Sequence, residues 1–284
     1  MSDTAFQTMY RREFIAGFEK RQSLARKCCT TEADINGNEA TFLVADSGGA
    51  TAVTRGINGD IPTRPDNLNQ YTATLAEWHD VPERTNFNLY ASQGDGRRIM
   101  QQTSMSVINR KIDADIYSAL SAGTVTKTMT QTSKIAFLSD VIGLGVTLGN
   151  AFADASAGEE EPFAIITPAF RGNLMQLPEF TSADYINLKP FENVSKSKAF
   201  NWNGVNWIVD GGLSGVGTSS ATCYIFSRKA IGHACDMERV HTEVGYDRKN
   251  DKSWARCSAY MGSKLLQNSG VIKITHDDTD LTLT

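Results

Sequence analysis

The sequence predicts an α+β protein, with two long helices in the middle of the chain and several strands near its end. Apolar residues recur at four-residue spacing in 95–122 and again in 133–152, as they do along one face of a helix. Short extended runs return after residue 200, with turn residues between them, which is typical of strands. With 284 residues the chain is long enough to bury one large core or two modest ones.

Composition excludes some classes of function. Lys and Arg total 28 and Asp and Glu total 32, which gives a net charge of −4. The chain therefore lacks the excess of basic residues that is typical of a protein whose main function is to bind nucleic acid. The longest loosely apolar run, 141–153, contains Gly and Asn and is too short to span a bilayer. Because no apolar signal stretch follows the polar start Met1–Thr4, we expect a soluble protein that is not exported and has no membrane partner.

The five cysteines predict free structural thiols. Their number is odd and no two are spaced as Cys-x-x-Cys, which argues against zinc and redox motifs. His233 and Cys235 form a short His-x-Cys, but no second ligand pair lies nearby in the sequence, so we expect no metal site. A reducing cytoplasm keeps such thiols unpaired. The cysteines are Cys28, Cys29, Cys223, Cys235 and Cys257.

The first segment has the pattern of an amphipathic arm. Four aromatic residues recur every four positions and so share one helical stripe, with basic residues on the wet side. We expect this stripe to dock on a neighbouring protein surface, although basic amphipathic helices also bind membranes or nucleic acid. The aromatic residues, which are candidate inter-subunit contacts, are Phe6, Tyr10, Phe14 and Phe18.

Residues 40–88 predict an extended hairpin. Strand-like runs at 40–44 and 69–79 flank a stretch marked by Gly and Pro that has too few apolar residues to form a core. A projecting arm of this kind is either a disordered loop or a handle for a partner. Its charged residues Arg55, Asp60 and Arg64 are candidate inter-subunit contacts, because complementary charges fix the register between partners.

The segment 95–122 predicts the longest helix, roughly 40 Å long at about 1.5 Å per residue. Asp113 is expected on its wet face, and Lys111 is spaced to pair with Asp115 one turn later. The buried stripe is expected to contain Met100, Ser104, Ile108, Ile112, Ile116 and Leu120.

A second helix is predicted from Ser133, despite three glycines that each cost about 1 kcal/mol relative to Ala. After it, a buried strand is expected at 162–166, and Thr167 with Pro168 fits the N-cap and first turn of a short helix. Asn203–Gly204 predicts a tight turn between two further strands. The apolar positions of the second helix are Phe137, Val141, Leu144, Leu148 and Phe152.

Two motifs that resemble catalytic ones lack the context that their chemistry needs. Asp46–Gly49 is similar to the serine turn of chymotrypsin-like proteases, but Ala45 replaces the preceding Gly and every His follows it in the sequence. Gly143–Gly149 is similar to a dinucleotide fingerprint, but the run before it predicts helix where a strand is required.

Acidic pairs give no stronger sign of catalysis. Asp113 with Asp115, and Asp277 with Asp278, do not converge on one helical face and are expected to be solvated. None of the four histidines is flanked by a ligand pattern. We therefore predict that the protein is not an enzyme and has no catalytic, cofactor-binding or metal-binding residues.

The last quarter of the chain contains a distinctive series of segments. Ser220–His233 carries a basic residue before an Ala-Ile-Gly bend, Tyr246–Lys252 is a charged turn, and Trp254–Leu266 ends in Gly-x-Lys-x-Leu. Gly270–Ile274 then forms Gly-Val-Ile-x-Ile. This series resembles the close of a tailed-phage major capsid protein, and the order of elements from Phe6 onward is similar to the Johnson fold of that family.

The resemblance implies a division into an arm, a loop and two domains. It assigns an N-terminal arm to 1–39 and an extended hairpin loop to 40–88. It further assigns a peripheral domain with the spine helix to 89–132 and 236–284, and an axial domain to 133–235.

The resemblance also implies a function. Copies would form pentamers and hexamers that tile an icosahedral shell around double-stranded DNA, without sequence-specific contact and without a cofactor. The protein would lie in the virion capsid after assembly in the bacterial host cytoplasm, with portal and decoration proteins as further partners. Because the chain starts at the arm, a separate scaffolding protein, or none, is expected. Two alternatives stay open, an encapsulin-like nanocompartment shell and a nucleotide-dependent enzyme.

Overall fold

The computed structural model describes residues 22–31, 34–46, 50–55, 57, 59, 61–63, 67–92, 96–151, 162–181, 200–202, 204–235 and 241–283. These residues form a mixture of helices and sheets, which confirms the predicted α+β class. The helices are α1 (Asn86–Ser92), α2 (Gly96–Ser121), α3 (Lys134–Ala151), α4 (Pro168–Leu174) and α5 (Pro178–Thr181). The strands are β1 (Asp34–Asn36), β2 (Glu39–Asp46), β3 (Asn67–Thr74), β4 (Ala76–Asp80), β5 (Glu83–Thr85), β6 (Val125–Thr128), β7 (Pro162–Ile166), β8 (Phe200–Trp202), β9 (Val205–Val209), β10 (Ala221–Ser227), β11 (Ile231–Cys235), β12 (His241–Asp247), β13 (Lys252–Leu265) and β14 (Val271–His276).

The chain divides into two compact units. Of the described residues, the first unit includes Ala76–Ile112 and Cys235–Met261, and the second includes Asp113–Ala234 and Gly262–Thr284 together with the described part of Leu24–Leu75. This division differs from the expected grouping of 236–284 in one domain, because the last strand, β14, pairs with β10 in the second unit.

A six-stranded sheet forms the centre of the second unit, in the order β6-β14-β10-β7-β9-β8. Strand β10 is antiparallel to both of its neighbours, whereas β14 with β6 and β7 with β9 are parallel pairs. The run from Cys223 to Ser227 is buried at every position, as expected for a strand that is covered on both faces. The predicted strand at 162–166 is confirmed as β7.

Helix α3 packs its predicted stripe against this core. Phe137 lies 5.4 Å from Phe170, and Phe170 stacks at 6.2 Å on Trp207, measured between ring centroids. Burying each large apolar side chain contributes roughly 1.5–3 kcal/mol, so the stripe is a major source of the unit's stability. Phe152 lies outside the described residues. The remaining stripe residues, all buried as predicted, are Val141, Leu144 and Leu148.

Local sequence signals fix the ends of two elements in this unit. The hydroxyl of Thr167 accepts a hydrogen bond of 3.2 Å from the Phe170 N–H, and Pro168 begins helix α4, as predicted. Strands β8 and β9 form the predicted hairpin, and Gly204 has a φ of +71°, which favours glycine. Asn203 lies outside the described residues.

Strand β13, most of which lies in the first unit, is the centre of a five-stranded sheet. It pairs with β12 along one side, across the predicted charged turn, and with β4 and β5 along the other. The predicted second strand of the extended hairpin, 69–79, is therefore wrong in its last part. Strand β3 ends at Thr74, and Ala76–Asp80 leave the hairpin to pair with Cys257–Met261.

Helix α2 confirms the predicted spine, because each of the six residues of its predicted stripe is buried. Two expectations about its other residues are wrong. Nζ of Lys111 lies 3.7 Å from the ring centroid of Trp78, and Asp115 accepts a hydrogen bond from Ser263, so this lysine and aspartate do not pair. Asp113 is buried, with only 2% of its surface exposed, instead of lying on the wet face.

Candidate assembly surface

The three-stranded sheet β1-β2-β3 presents one face to its own subunit. Phe42, Ala40 and Ala73 form a buried cluster with Ala234 and Leu266. The ring of Phe42 lies so close to Gly232 that a Cβ atom at this glycine would be 2.7 Å from it. The base of the hairpin is thus fixed by packing within the chain.

The opposite face of the same hairpin leaves aliphatic side chains in solvent. Leu43 is opposite Gln70, and Ala45 is opposite Leu68, so all four share one face of the sheet. Leu43 is 72% exposed and Leu68 is 67% exposed, although they are diagonal neighbours across the two strands. Adjacent exposed leucines make this face of the hairpin a candidate surface for contact with another protein. We call the exposed face of β2 and β3, with Leu43 and Leu68 at its centre, the outer hairpin face.

Arg55 is exposed beyond the end of β2, among further exposed aliphatic side chains. It is the one predicted inter-subunit contact within the described residues, and the structure brings no other predicted contact beside it there. The predicted contacts outside the described residues are Phe6, Tyr10, Phe14, Phe18, Asp60 and Arg64.

The buried carboxylate of Asp113 binds a backbone segment far away in the sequence, although the sequence predicts this residue on the solvent-exposed face of its helix. Its carboxylate accepts hydrogen bonds from the backbone N–H groups of Leu24, at 3.4 Å, and Ala25, at 3.1 Å. These groups begin the 3₁₀ turn Ala25–Cys28, so the carboxylate caps that turn. No local signal indicates this role, because the partners are 88 and 89 positions away in the chain.

A second buried network surrounds Asp278, so the prediction that this residue is solvated is wrong. Its carboxylate accepts hydrogen bonds from Nδ1 of His276 at 2.7 Å, from the Thr167 hydroxyl at 2.8 Å and from the Gly217 N–H at 3.1 Å. The carboxylate therefore has several fixed donors and no open approach for a substrate. The network links strand β14, the N-cap of helix α4 and the loop before β10. We therefore assign it a structural role.

His233, which is buried, belongs to a third group of hydrogen-bonded polar side chains. Its Nδ1 lies 2.9 Å from Oγ of Ser263, which donates a hydrogen bond of 2.6 Å to Asp115. Its Nε2 is buried without a hydrogen-bond partner. Burial lowers the pKa of His233 to about 4, and the charge of Asp115 only partly offsets this effect. The imidazole is therefore neutral near pH 7.

One set of side chains has the hydrogen bonds of a catalytic triad. Nε2 of His79 lies 2.7 Å from Glu77, and Nδ1 of His79 lies 2.9 Å from Oγ of Ser258. However, Ser258 is only 4% exposed, and Glu77 also accepts a hydrogen bond of 3.0 Å from Tyr260. The hydroxyl has no open face for a substrate, so these contacts join β4 to β13.

The other candidate chemistry also lacks support from the geometry. Gly143–Gly149 lie inside helix α3, which removes the strand-to-helix turn that a dinucleotide site needs. Burial raises the pKa of the Cys28 thiol and of the Cys223 thiol to about 12, so neither is an activated nucleophile. Within the described ranges, no three His, Cys, Asp or Glu side chains are grouped as metal ligands. No helix in this part of the chain has the length and hydropathy of a membrane span.

The fold is similar to that of several solved capsids. The structure of Mycobacterium phage Che8 matches with a TM-score of 0.71 and 12% identity, over 96% of this chain and 98% of that one. The capsid of Ralstonia phage GP4 matches with a TM-score of 0.67 and 12% identity, over 99% and 98%. The capsid of a native GTA particle matches with a TM-score of 0.65 and 11% identity, over 98% and 99%. These likenesses confirm the predicted phage capsid fold.

Sequence comparison extends this result from fold to family. No curated protein matches the chain. A family model described as phage capsid protein, however, matches residues 2–278, which is nearly the whole sequence. The chain therefore belongs to the phage capsid protein family.

Proposed function

We propose that this protein is the major capsid protein of a tailed phage and assembles through pentamers and hexamers into an icosahedral shell around double-stranded DNA. The observation that carries the proposal is the family match over residues 2–278. The protein is a structural component of the shell, and this role fits an exposed hairpin that is fixed at its base and open on its outer face.

The physical character of the chain supports a structural role over catalysis. The triad-like serine is buried, and the thiols of Cys28 and Cys223 have raised pKa values. A net charge of −4 is consistent with a shell protein that encloses DNA without binding it tightly or sequence-specifically. We therefore infer that the protein has no enzymatic activity and contacts packaged DNA non-specifically.

The finer assignments extend this proposal. We assign an inter-subunit role to the aromatic arm residues Phe6, Tyr10, Phe14 and Phe18 and to the charged hairpin residues Arg55, Asp60 and Arg64. The arm is assigned to 1–39, and the extended loop is assigned to the part of 40–88 that precedes Ala76, because Ala76–Asp80 pair with β13. The spine helix is assigned to the peripheral domain. Scaffolding, portal and decoration proteins are the further partners, and assembly takes place in the host cytoplasm.

Expression of the chain, alone and together with its genomic neighbours, tests the proposal. We expect closed shells or capsomer rings by negative-stain microscopy and fast-sedimenting species in the ultracentrifuge. Monomers at every concentration, with and without a scaffolding protein, would refute it. Particles that enclose a cargo enzyme and no DNA would instead identify an encapsulin-like compartment.

A further inference from the structure

Two 3₁₀ turns from distant parts of the sequence lie side by side in the second unit. The turn Ala25–Cys28 and a second turn, Arg228–Ala230, are joined by hydrogen bonds. Nε of Arg228 donates a hydrogen bond of 3.4 Å to the carbonyl of Cys29, and the Thr30 hydroxyl donates one of 3.0 Å to the carbonyl of Arg228. The basic residues of both turns therefore belong to one surface.

The charged residues of this surface are all positive. A third 3₁₀ turn, Asn268–Gly270, packs against Arg228–Ala230. Each segment around the three turns contains two Lys or Arg and no Asp or Glu, whereas the whole chain has a net charge of −4. The segments are 22–31, 227–235 and 262–274. Lys27, Arg228 and Lys229 are exposed in them, and we call the surface that these three side chains form the basic surface.

Two of these basic groups are close together and have no acidic partner. Among the described residues, Lys27 forms no ion pair, and the guanidinium of Arg228 makes only its Nε bond to the backbone. Burial and the charge of Asp113 raise the pKa of the Cys28 thiol to about 12, although the charges of Arg228 and Lys27 act in the opposite direction. Both positive charges therefore lie near this thiol and stay available to an anion from outside.

The composition of the basic surface indicates what kind of partner it binds. None of the exposed large apolar side chains of the described residues lies in the three segments, whereas the centre of a protein–protein interface is rich in such side chains. Asn268 and Ser269 are exposed on the adjoining turn, and amide and hydroxyl groups accompany Lys and Arg at contacts with phosphate. Protein–DNA interfaces are also more polar and more positive than interfaces between proteins. The surface thus matches a nucleic-acid backbone better than a neighbouring protein.

We propose that the basic surface binds the phosphate backbone of packaged double-stranded DNA without reading its sequence. The inference rests on the proposed shell function, which supplies DNA as the polyanion that the shell encloses. The two terminal nitrogens of the Arg228 guanidinium suit a phosphate through parallel hydrogen bonds, whereas Lys27 and Lys229 act as point charges. So few phosphate contacts give weak binding that depends on salt, which agrees with the absence of a basic excess in the whole chain.

The salt dependence of DNA binding tests the proposal. Fluorescence anisotropy of a labelled duplex of arbitrary sequence is measured with unassembled subunits at several salt concentrations. Each neutralised phosphate contributes about −0.9 to the slope of log K against log salt, so Lys27→Gln and Arg228→Gln should each make the slope less negative by about 0.9. The same relation predicts that each variant binds about tenfold more weakly at about 50 mM salt. Lys249→Gln removes an exposed positive charge from the turn between β12 and β13, and this matched control should keep the parental slope.

A conservative variant separates charge from local structure. Arg228→Lys keeps the positive charge and loses the Nε bond to Cys29, so we expect it to retain the parental slope. A slope that falls as far as that of Arg228→Gln would contradict a role for the charge.

Several results would overturn the proposal while leaving the shell function in place. These are equal slopes for the parent, Lys27→Gln and Lys249→Gln, and no binding of the duplex by the parent at about 50 mM salt. A lower yield of shells for Lys27→Gln with unchanged affinity for DNA would also overturn it, because the surface would then contact a protein. Failure of the parent to form shells is a different outcome, since it refutes the proposed function whatever the slopes show.

Discussion

Nδ1 of His276 donates a hydrogen bond of 2.7 Å to Oδ1 of Asp278, and both side chains are shielded from solvent. On the other side of the ring, Nε2 lies 3.2 Å from the amide nitrogen of Gln131 and 3.1 Å from that of Asn173. The Gln131 amide also donates to the carbonyl of Asp277, which fixes its orientation. Nε2 must therefore accept, and the imidazole is neutral with its proton on Nδ1.

This arrangement predicts that acid destabilises the unassembled subunit. Burial lowers the pKa of His276 below 6.5, and protonation would direct a new N–H at two amide donors. Since the unfolded chain binds this proton first, the stabilisation is complete above about pH 6.5 and is lost as the pH falls towards the folded pKa. His233, with a pKa of about 4, contributes in the same direction. We expect the melting temperature to fall between pH 7 and pH 5.

A substitution separates the contribution of His276 from general acid effects. His276→Gln should lower stability at pH 7 but flatten the dependence of the unfolding free energy on pH between 5 and 7. Denaturant unfolding at several pH values measures both, and parallel slopes for the parent and His276→Gln would contradict the assignment.

The capping of the 3₁₀ turn gives a prediction that differs from the sequence-based one. Asp113→Ala leaves two buried or half-buried backbone N–H groups without their carboxylate, so we expect a loss of about 1–3 kcal/mol in the free energy of unfolding. Arg110→Ala, at an exposed position of the same helix, should change it by no more than about 0.5 kcal/mol. Chemical denaturation compares the two variants, and equal midpoints would show that the cap is not formed.

The contrast between Asp113 and the stripe of α3 explains what the sequence could and could not predict. The spacing of Phe137, Val141, Leu144 and Leu148 is a local property, so periodicity alone predicts the buried face of that helix. The burial of Asp113 depends on backbone groups 88 and 89 positions away, which no local pattern encodes.

Strand ends and hairpin faces show the same limit. The extended pattern from 69 to 79 is continuous in the sequence, yet the chain changes sheets after Thr74 because β13 offers a partner for Ala76–Asp80. Likewise, the sequence predicts a projecting hairpin, but only the register shows that Leu43 and Leu68 share one face. The candidate assembly surface was thus predictable as a segment, whereas its outer face required the structure.

The thiols should differ in reactivity. Cys235 is half-buried, whereas the other cysteines are buried, and burial raises the pKa of Cys28 and Cys223 to about 12. With iodoacetamide at pH 7.5, we expect Cys235 to be alkylated first and Cys28 and Cys223 to react only after unfolding. Mass spectrometry of digested samples reports the order. A mobility difference between reduced and non-reduced gels would contradict the expectation of free thiols.

The charges of the extended loop remain a prediction about assembly. Changing Arg55 and Arg64 together to Glu should lower the yield of shells while the melting temperature of the subunit moves little, because Arg55 is exposed. Changing both to Lys is the control, since it preserves charge. An unchanged yield for the Glu variant would show that these charges do not contact a neighbour.

The spine helix carries the sharpest test of the fold. Ile112 is 5% exposed on the buried stripe of α2, so Ile112→Asp places an unpaired carboxylate in an apolar site. We expect the free energy of unfolding to fall by several kcal/mol. Because a domain is typically stable by only about 5–15 kcal/mol, the variant should be insoluble or unfolded. Met105→Asp is the matched control on the same helix, because Met105 is 38% exposed and a carboxylate there stays hydrated. Soluble yield and thermal melting decide between the two positions, and an Ile112→Asp variant that melts like Met105→Asp would mean that this face of the helix is not buried.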